Sequence, residues 1–222
     1  MKELSVFDII GPCMIGPSSS HTAGALKISL LAGKMVKGNI KKAVFELYGS
    51  FARTYKGHGT DRALVAGVLG YKTDDVRIKD SFQFAEEQGI QFEFIVNGKV
   101  KMPHPNTVDI RLEDHNGKKV AVRGESIGGG AAKITRINGV DVSFSGEYST
   151  IVIEQKDEKG VLAYITKCFS DFDINIAFSK LFREAKGEKA YTIIETDEKI
   201  PEDVVYVIED FHSIQSATLI EI

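Results

Sequence analysis

Residues 150–172 read TIVIEQKDEKGVLAYITKCFSDF, and this stretch decides the fold of the C-terminal part of the chain. Its first residues are rich in β-branched side chains, which favour a strand, and Asp157-Glu-Lys-Gly160 is a turn sequence. From Val161 to Phe172 the apolar residues recur at helical spacing. The stretch therefore predicts a strand, a turn and an amphipathic helix, in that order.

The residues that follow complete a recognisable plan. Residues 174–182 and 190–195 alternate as two strands around a turn at 185–188. Pro201 opens a second helix that runs to about Phe211, since proline is favoured at the first turn of a helix. Residues 213–222 form a last strand. The predicted order is βαββαβ, which is the ferredoxin-like plan.

The N-terminal part mixes helices and strands. Helices are predicted at about 20–36 and 60–69, with a short one at 81–87. The predicted strands are 43–48, 91–96, 107–112, 119–123, 132–137 and 140–144. Because most of these strands follow one another through short turns, we expect a mixed, mostly antiparallel sheet and an α+β fold class for the whole chain.

Charge divides the chain at about the same place as the change in pattern. Residues 1–146 carry a formal charge of +5, whereas residues 147–222 carry −8. A change of sign of this kind is typical of two units of different origin. We therefore predict two domains, residues 1–146 and 147–222, with the boundary near the turn residue Gly146.

Composition excludes several classes of protein. The chain has 222 residues, is 43% hydrophobic and 27% charged, and has a formal net charge of −3, which disfavours a general nucleic-acid binder. It has no run of roughly 20 apolar residues of the kind that spans a membrane. Its first ten residues lack the features of a signal peptide. We therefore expect a cytoplasmic protein with neither nucleic acid nor a membrane as partner.

The chain contains 2 cysteines, Cys13 and Cys168. This number excludes a disulfide-dense scaffold and any metal site that needs three or four thiolates from this chain alone. Cys168 falls on the apolar face of the helix at 161–172, so it is expected in the core. For Cys13 a buried thiol is the preferred interpretation, because free cysteine behaves as a small apolar residue.

A serine-rich motif, Gly16-Pro-Ser-Ser-Ser-His-Thr-Ala-Gly-Ala25, joins a turn to a helix. Three serines are more than one N-cap needs, and a helix N-terminus attracts a carboxylate or a phosphate. A helix N-cap with more serines than capping requires, beside a close helix contact, explains the same residues equally well. The motif thus leaves an anion site and a purely structural cap as open alternatives.

A second motif, Gly57-His-Gly-Thr-Asp61, also precedes a helix, which Thr60 or Asp61 can cap. The glycines leave the backbone free of Cβ contacts around an imidazole that can accept a proton near neutral pH. One such loop is usually an ordinary surface turn. Two loops that each place a histidine at the start of a helix favour a functional site.

Two further segments carry weaker signals. Pro103-His-Pro-Asn106 is a rigid turn whose histidine is expected to be structural. Ser126-Ile-Gly-Gly-Gly130 offers backbone N–H groups to an anion or forms a glycine bulge between strands. The glycines at 57 and 59 and those at 128–130 do not match a nucleotide-binding loop. The third glycine that such a loop requires is replaced by Arg62 in the first case and by Lys133 in the second.

Together these motifs resemble the beta chain of the iron–sulfur-dependent bacterial L-serine dehydratases. The resemblance rests on the two histidine motifs, on His104-Pro-Asn-Thr107 and on the glycine run that starts at Ser126. Residues 149–222 resemble an ACT domain, with Asp157-Glu-Lys-Gly-Val-Leu162 at its usual turn. The N-terminal part is also similar in fold to the allosteric substrate-binding domain of some phosphoglycerate dehydrogenases.

The resemblance implies an L-serine ammonia-lyase that forms pyruvate and ammonia without pyridoxal phosphate. Members of the family hold a [4Fe–4S] cluster with three cysteines, and one iron acts as a Lewis acid on the serine hydroxyl. Two cysteines cannot supply that set. The expectation is therefore that a separate alpha chain carries the cluster, that no metal ligand comes from this chain, and that activity needs both chains.

The resemblance also assigns site residues. His58 and His21 are the candidates for the base, with His58 favoured because glycines flank it. Substrate binding is expected at Ser18, Ser19, Ser20, Thr22, Gly59, Thr60, Asp61, Asn106 and Ser126. An allosteric amino acid is expected at Asp157, Gly160, Val161, Leu162, Asn175 and Ile176, in a unit that also mediates self-association.

Three alternatives compete with this interpretation. The chain can be a non-catalytic subunit that senses serine or assists assembly, or its ACT unit can be a dimerisation module without a ligand. A lyase that is complete in itself with pyridoxal phosphate needs a lysine motif, and Lys27 has none around it.

Overall fold

The computed structural model describes residues 13–221 of the chain. It divides into two compact units, of which one ends at Asn138 and the next begins at Gly139. Both units combine helices with sheets, so the predicted α+β class is confirmed. The division lies eight residues before the end of the predicted first domain, at 146, and the domain assignment stays a prediction.

The first unit is built on a sheet whose strands lie in the order β2-β1-β3-β4-β5. The β1–β2 pair is parallel and the β1–β3 pair is antiparallel. The pairs β3–β4 and β4–β5 are antiparallel, as the short turns between these strands require. The strands are β1 (Ile40–Tyr48), β2 (Gln91–Asn97), β3 (Thr107–Asp114), β4 (Lys119–Gly128) and β5 (Ala131–Ile137).

The helices of the first unit include the three that the sequence predicts and one that it misses. A π-helical turn at Ser19–Ala23 leads into the first helix. The α-helices are α1 (Gly24–Lys34), α2 (Gly49–Thr54), α3 (Thr60–Val68) and α4 (Ser81–Glu87), with a 3₁₀ turn at Val76–Asp80. Helix α2 has only six residues, too few for a helical period to be visible in the sequence.

Helices α1 and α3 cross at unusually short range. A Cβ atom on Gly67 of α3 would lie 2.5 Å from the Leu26 carbonyl oxygen and 2.7 Å from the Leu30 nitrogen of α1. The Ser29 hydroxyl donates a hydrogen bond to the Leu64 carbonyl across the same contact. Only glycine at position 67 allows this approach, so the contact fixes the two helices that follow the histidine motifs.

The second unit begins with β6 (Val140–Phe144) and then follows the order β7, α5, β8, β9, α6, β10. These elements are β7 (Ser149–Lys156), α5 (Val161–Asp171), β8 (Phe178–Arg183), β9 (Lys189–Thr196), α6 (Glu202–Glu209) and β10 (Ile214–Ile220). Their four strands form an antiparallel sheet in the order β10-β7-β9-β8. The apolar faces of both helices and of β7 form one core, which includes Cys168 as expected.

One predicted boundary is wrong in this unit. The strand predicted from residue 174 begins only at Phe178. Asp173 adopts φ of 57° and the Ile174 N–H donates to the Phe169 carbonyl at 3.0 Å, which closes α5 in a Schellman motif. The backbone of 173 and 174 is therefore committed to the helix end and cannot join the sheet.

Among the residues that the structure describes, no helix is long and apolar enough to cross a membrane.

Candidate functional site

The serine-rich motif folds as a capped turn that presents His21. Ser18 has extended backbone dihedrals and is the N-cap, because its hydroxyl oxygen accepts the His21 N–H at 3.1 Å. Ser18 therefore caps the turn, and its assignment to substrate binding stays a prediction. The following π-helical turn continues directly into α1, so the histidine backbone is fixed on both sides.

The His21 ring is held at both nitrogens by hydroxyl groups. Its Nε2 lies 2.9 Å from the Ser50 hydroxyl at the start of α2. Its Nδ1 lies 3.1 Å from the Ser20 hydroxyl and 3.4 Å from that of Ser18. These contacts leave the ring of His21 little freedom to rotate.

The two histidine motifs come together. The rings of His21 and His58 have centroids 4.9 Å apart at an interplanar angle of 40°. The Thr22 hydroxyl, which is 2% exposed, donates to the His58 carbonyl at 2.8 Å and ties the loops to each other. Within residues 13–221 no side-chain hydrogen bond reaches the ring nitrogens of His58, so they are available to a ligand.

The turn at 103–107 and the glycine run form an adjoining wall. The Pro105 carbonyl accepts the Ser50 N–H at 2.7 Å, and the Asn106 carbonyl accepts the Ser126 N–H at 3.0 Å. Nδ1 of His104 accepts the Asn106 N–H at 3.2 Å, which supports the predicted structural role of this histidine. The wall therefore adjoins Ser50, which contacts His21.

Three buried polar atoms near these loops lack a protein partner in the described part of the chain. They are the hydroxyls of Thr60 and Ser126 and the side-chain carbonyl oxygen of Asn106. A buried polar atom without a hydrogen bond costs about 1–3 kcal/mol of stability. All three belong to residues that the sequence motifs single out.

The structure corrects the predicted cap of α3. Neither Thr60 nor Asp61 is the N-cap, because Gly59 holds that position with φ of 66° and has no side chain to offer. The Asp61 carboxylate instead accepts the N–H of the next residue at 2.8 Å. Burial raises the pKa of Asp61 above its ordinary value. A second correction concerns Cys13, which is exposed and not buried.

Ser50 is the contact residue that no sequence motif indicates. It lies 29 positions from His21 along the chain, so no local spacing links them. The one available signal in the sequence is a glycine, Gly49, directly after a strand and before Ser50. In the structure this glycine has φ of 53°, which residues with a side chain rarely adopt. A Cβ atom at Gly49 would lie 2.4 Å from the Pro105 carbonyl oxygen, which makes the glycine necessary.

The environment of His21 favours its neutral form. Burial lowers the pKa of His21 below its ordinary value of 6.5, and the neighbouring His58 ring lowers it further. The unfolded chain therefore binds the proton at higher pH than the folded chain does. The free energy of unfolding accordingly gains from this histidine above pH 6.5 and loses that gain as pH falls through the window below it.

A histidine NMR titration of the full chain tests this order of causes. We expect the His21 midpoint to lie below 6.5 in the unmodified chain. In His58→Asn the midpoint should rise but stay below 6.5, because the larger cause, burial, remains. A midpoint at or above 6.5 in the unmodified chain would contradict the expectation.

The residues assigned to an allosteric ligand lie in the second unit. The Asp157 carboxylate accepts the Gly187 N–H at 3.0 Å and an Arg183 N–H at 3.3 Å, and the bond from Gly187 is the larger cause of its lowered pKa. Val161 is fully buried, whereas Leu162 is 40% exposed. The remaining assigned residues are Gly160 at the start of α5 and Asn175 and Ile176 after its end.

Within residues 13–221, no group of three or more His, Cys, Asp or Glu side chains is placed to hold a metal ion.

Comparison with known proteins identifies similar chains. The serine dehydratase beta chain family model matches residues 5–135. The chain is 40% identical over 222 residues to the L-serine dehydratase beta chain of Peptoniphilus asaccharolyticus, with 100% of both chains covered. It is 41% identical over 220 residues to the probable L-serine dehydratase beta chain of Bacillus subtilis, with 99% of both covered. It is also 23% identical over 197 residues to D-3-phosphoglycerate dehydrogenase of Bacillus subtilis, covering 88% of this chain and 37% of that protein.

Proposed function

The chain belongs to the serine dehydratase beta chain family, and on that premise we propose that it is the beta subunit of an L-serine dehydratase. The enzyme converts L-serine to pyruvate and ammonia and needs a second, alpha chain. The observation that carries the proposal is the convergence of His21 and His58, whose ring centroids are 4.9 Å apart. A pair of imidazoles, of which His58 has no side-chain hydrogen bond at its ring nitrogens among the described residues, suits removal of a proton from a small polar substrate.

The [4Fe–4S] cluster implied by the family does not fit this chain. Cys13 is exposed in the first unit, and Cys168 is 3% exposed in the core of the second. Three thiolates cannot be assembled from these two residues. We therefore propose that the cluster belongs to the alpha chain, and we assign only proton transfer and substrate binding to this subunit.

His58 is the proposed base. Its nitrogens have no hydrogen-bond partner among the described residues, whereas both nitrogens of His21 already contact serine hydroxyls. A base has to reach the Cα proton of serine with a free lone pair. His58 satisfies this requirement in its neutral form, and the neutral ring of His21 beside it adds no competing positive charge.

The orphaned oxygens are proposed to bind the amino acid. The ammonium group of serine supplies N–H donors. The Asn106 side-chain carbonyl oxygen and the hydroxyls of Thr60 and Ser126 have no hydrogen-bond partner among the described residues and can accept from it. The carboxylate group needs donors, which the N–H groups of Ser19 and Ser20 offer at the start of the helical turn. The hydroxyl that stabilises the loops, on Thr22, has a positioning role in this proposal.

Reconstitution of the two chains tests the proposed function. We expect pyruvate formation from L-serine when this chain and the alpha chain are mixed anaerobically with iron and sulfide, and none from either chain alone. Substitution of the loop histidines should lower the maximal rate. If it changes only the response to an added amino acid, the subunit is a non-catalytic sensor instead.

The second unit is proposed to be a regulatory ACT domain. Its βαββαβ element order and the antiparallel strand order β10-β7-β9-β8 support a ferredoxin-like fold. The loop at 157–160 is secured by the hairpin turn through Gly187, which leaves the exposed Leu162 and Asn175 free to contact an amino acid.

Titration calorimetry with L-serine tests this regulatory site. We expect heat and a higher melting temperature, since a ligand at 100 times its Kd stabilises by about 2.7 kcal/mol. Asn175→Ala should remove the heat of binding to the second unit, and Asn106→Ala, which changes only the proposed substrate site of the first unit, should retain it. Loss of the heat only in Asn106→Ala would place the binding in the first unit.

Self-association through the second unit is the last part of the proposal. Strand β8 ends the sheet and exposes Phe178 and Leu181, at 46% and 44%. An apolar edge strand of this kind pairs readily with a second copy. Sedimentation of the full chain should reveal a dimer that Leu181→Lys weakens.

A further inference from the structure

We propose that Ser50 is a positioning residue that orients the His21 imidazole for the reaction, a role that rests on the function proposed above. Its hydroxyl is 2.9 Å from His21 Nε2, within ordinary hydrogen-bond range. No other hydrogen bond of this hydroxyl occurs among residues 13–221. The pair joins two elements that are distant in the sequence, the capped turn and the start of α2.

The backbone of Ser50 is fixed with respect to the substrate-binding wall. Its N–H donates to the Pro105 carbonyl at 2.7 Å. Gly49, the residue before it, has φ of 53° and packs closely against the same carbonyl. Asn106 follows Pro105 directly. The Ser50 hydroxyl therefore transmits the position of the Asn106 turn to the His21 ring.

Orientation of His21 matters because of what surrounds the ring. Ser18 and Ser20 contact Nδ1, and the His58 ring lies against the imidazole at a centroid distance of 4.9 Å. Without Ser50 the ring keeps its contacts on one edge only and can rotate about its χ angles. Rotation would change the space open to His58 and to the substrate, and a displacement of about 1 Å can cost about 100-fold in rate.

Two variants and one control separate orientation from folding. Ser50→Ala removes the hydroxyl, and Ser50→Thr retains it. Thr54→Val removes a hydroxyl from the same helix, one that donates to the Ser50 carbonyl at 2.9 Å, without touching His21. We expect kcat with the alpha chain to fall about 10–100-fold in Ser50→Ala at little change in KM, to recover in Ser50→Thr, and to stay unchanged in Thr54→Val.

Ring nitrogen NMR of the full chain, labelled with ¹⁵N-histidine, gives a readout that does not depend on activity. The His21 Nε2 signal should move in Ser50→Ala and keep its position in Ser50→Thr and Thr54→Val. The proposal is overturned if Ser50→Ala leaves both the His21 Nε2 signal and kcat the same as in the unmodified chain. Covalent labelling of Ser50 by phenylmethylsulfonyl fluoride also overturns it, because that result identifies a nucleophile.

The two levels of proposal fail differently. If the reconstituted pair forms no pyruvate while the His21 signal still moves in Ser50→Ala, the positioning contact stands and the proposed function fails. If the pair is active and Ser50→Ala is as active as the unmodified chain, the proposed function stands and the positioning role fails.

Discussion

His58→Ala should lower kcat of the reconstituted enzyme by about 10²–10⁴-fold, the usual contribution of a general base. The substitution removes the only one of the two facing imidazoles whose nitrogens are free of hydrogen bonds in the described chain. Because the base acts on the Cα proton, exchange of that proton with deuterated solvent should fall in parallel. Substrate binding involves other groups, so KM should change little.

His115→Ala is the matched control, since it removes an exposed histidine from the turn between β3 and β4. This variant should keep the kcat of the unmodified enzyme. His21→Ala tests the competing assignment. Unmodified turnover in His58→Ala combined with loss of Cα exchange in His21→Ala would make His21 the base.

Gly67→Ala should destabilise the first unit by about 3 kcal/mol, near the upper end of what overpacking costs. The added methyl group would lie 2.5 Å from the Leu26 carbonyl oxygen and 2.7 Å from the Ser29 Cβ atom. Backbone atoms cannot move aside as a flexible side chain can, so α1 and α3 must separate. This cost exceeds the roughly 1 kcal/mol that alanine gains over glycine in a helix.

Gly33→Ala is the control for Gly67→Ala because it lies on α1 at the same helix contact. Its nearest neighbour would be the Gly67 carbonyl oxygen at 3.7 Å, an ordinary van der Waals distance. Urea unfolding of the full chain should show a loss of stability for Gly67→Ala and a small gain for Gly33→Ala. Equal midpoints for the two variants would show that the helix crossing is not tight.

Much of the fold could be predicted because it is encoded by local patterns. The apolar period of residues 161–172 predicts α5, and the charge reversal indicates two units close to where the chain divides. The six-residue helix α2 was beyond the reach of periodicity, since it spans less than two full turns. The late start of β8 was missed because a helix-closing motif with Asp173 in place of glycine gives no composition signal.

The site could be predicted only in part, for a related reason. His21 and His58 were found because each stands in a distinctive motif at a helix start. Ser50 could not be predicted as a partner of His21. The hydrogen bond between them depends on where the end of β1 places the start of α2 in the fold. Tertiary contacts between distant residues of ordinary type leave no trace in spacing. For Asn106, which its motif singles out, the structure adds that the side-chain carbonyl oxygen is buried without a partner among the described residues.

The π-helical turn at Ser19–Ala23 makes the length of the serine-rich segment a fixed quantity. In this turn the Gly24 N–H bonds the Ser19 carbonyl five residues back, one residue more than in an α-helix. Deleting a single residue there would restore α-helical winding and leave Ser19 and Gly24 in nearly the same relation, but it would shift the side chains between them around the helix axis. His21 lies between them and would no longer be aligned with Ser50 and His58. Relatives that keep this chemistry should therefore keep the number of residues in the segment.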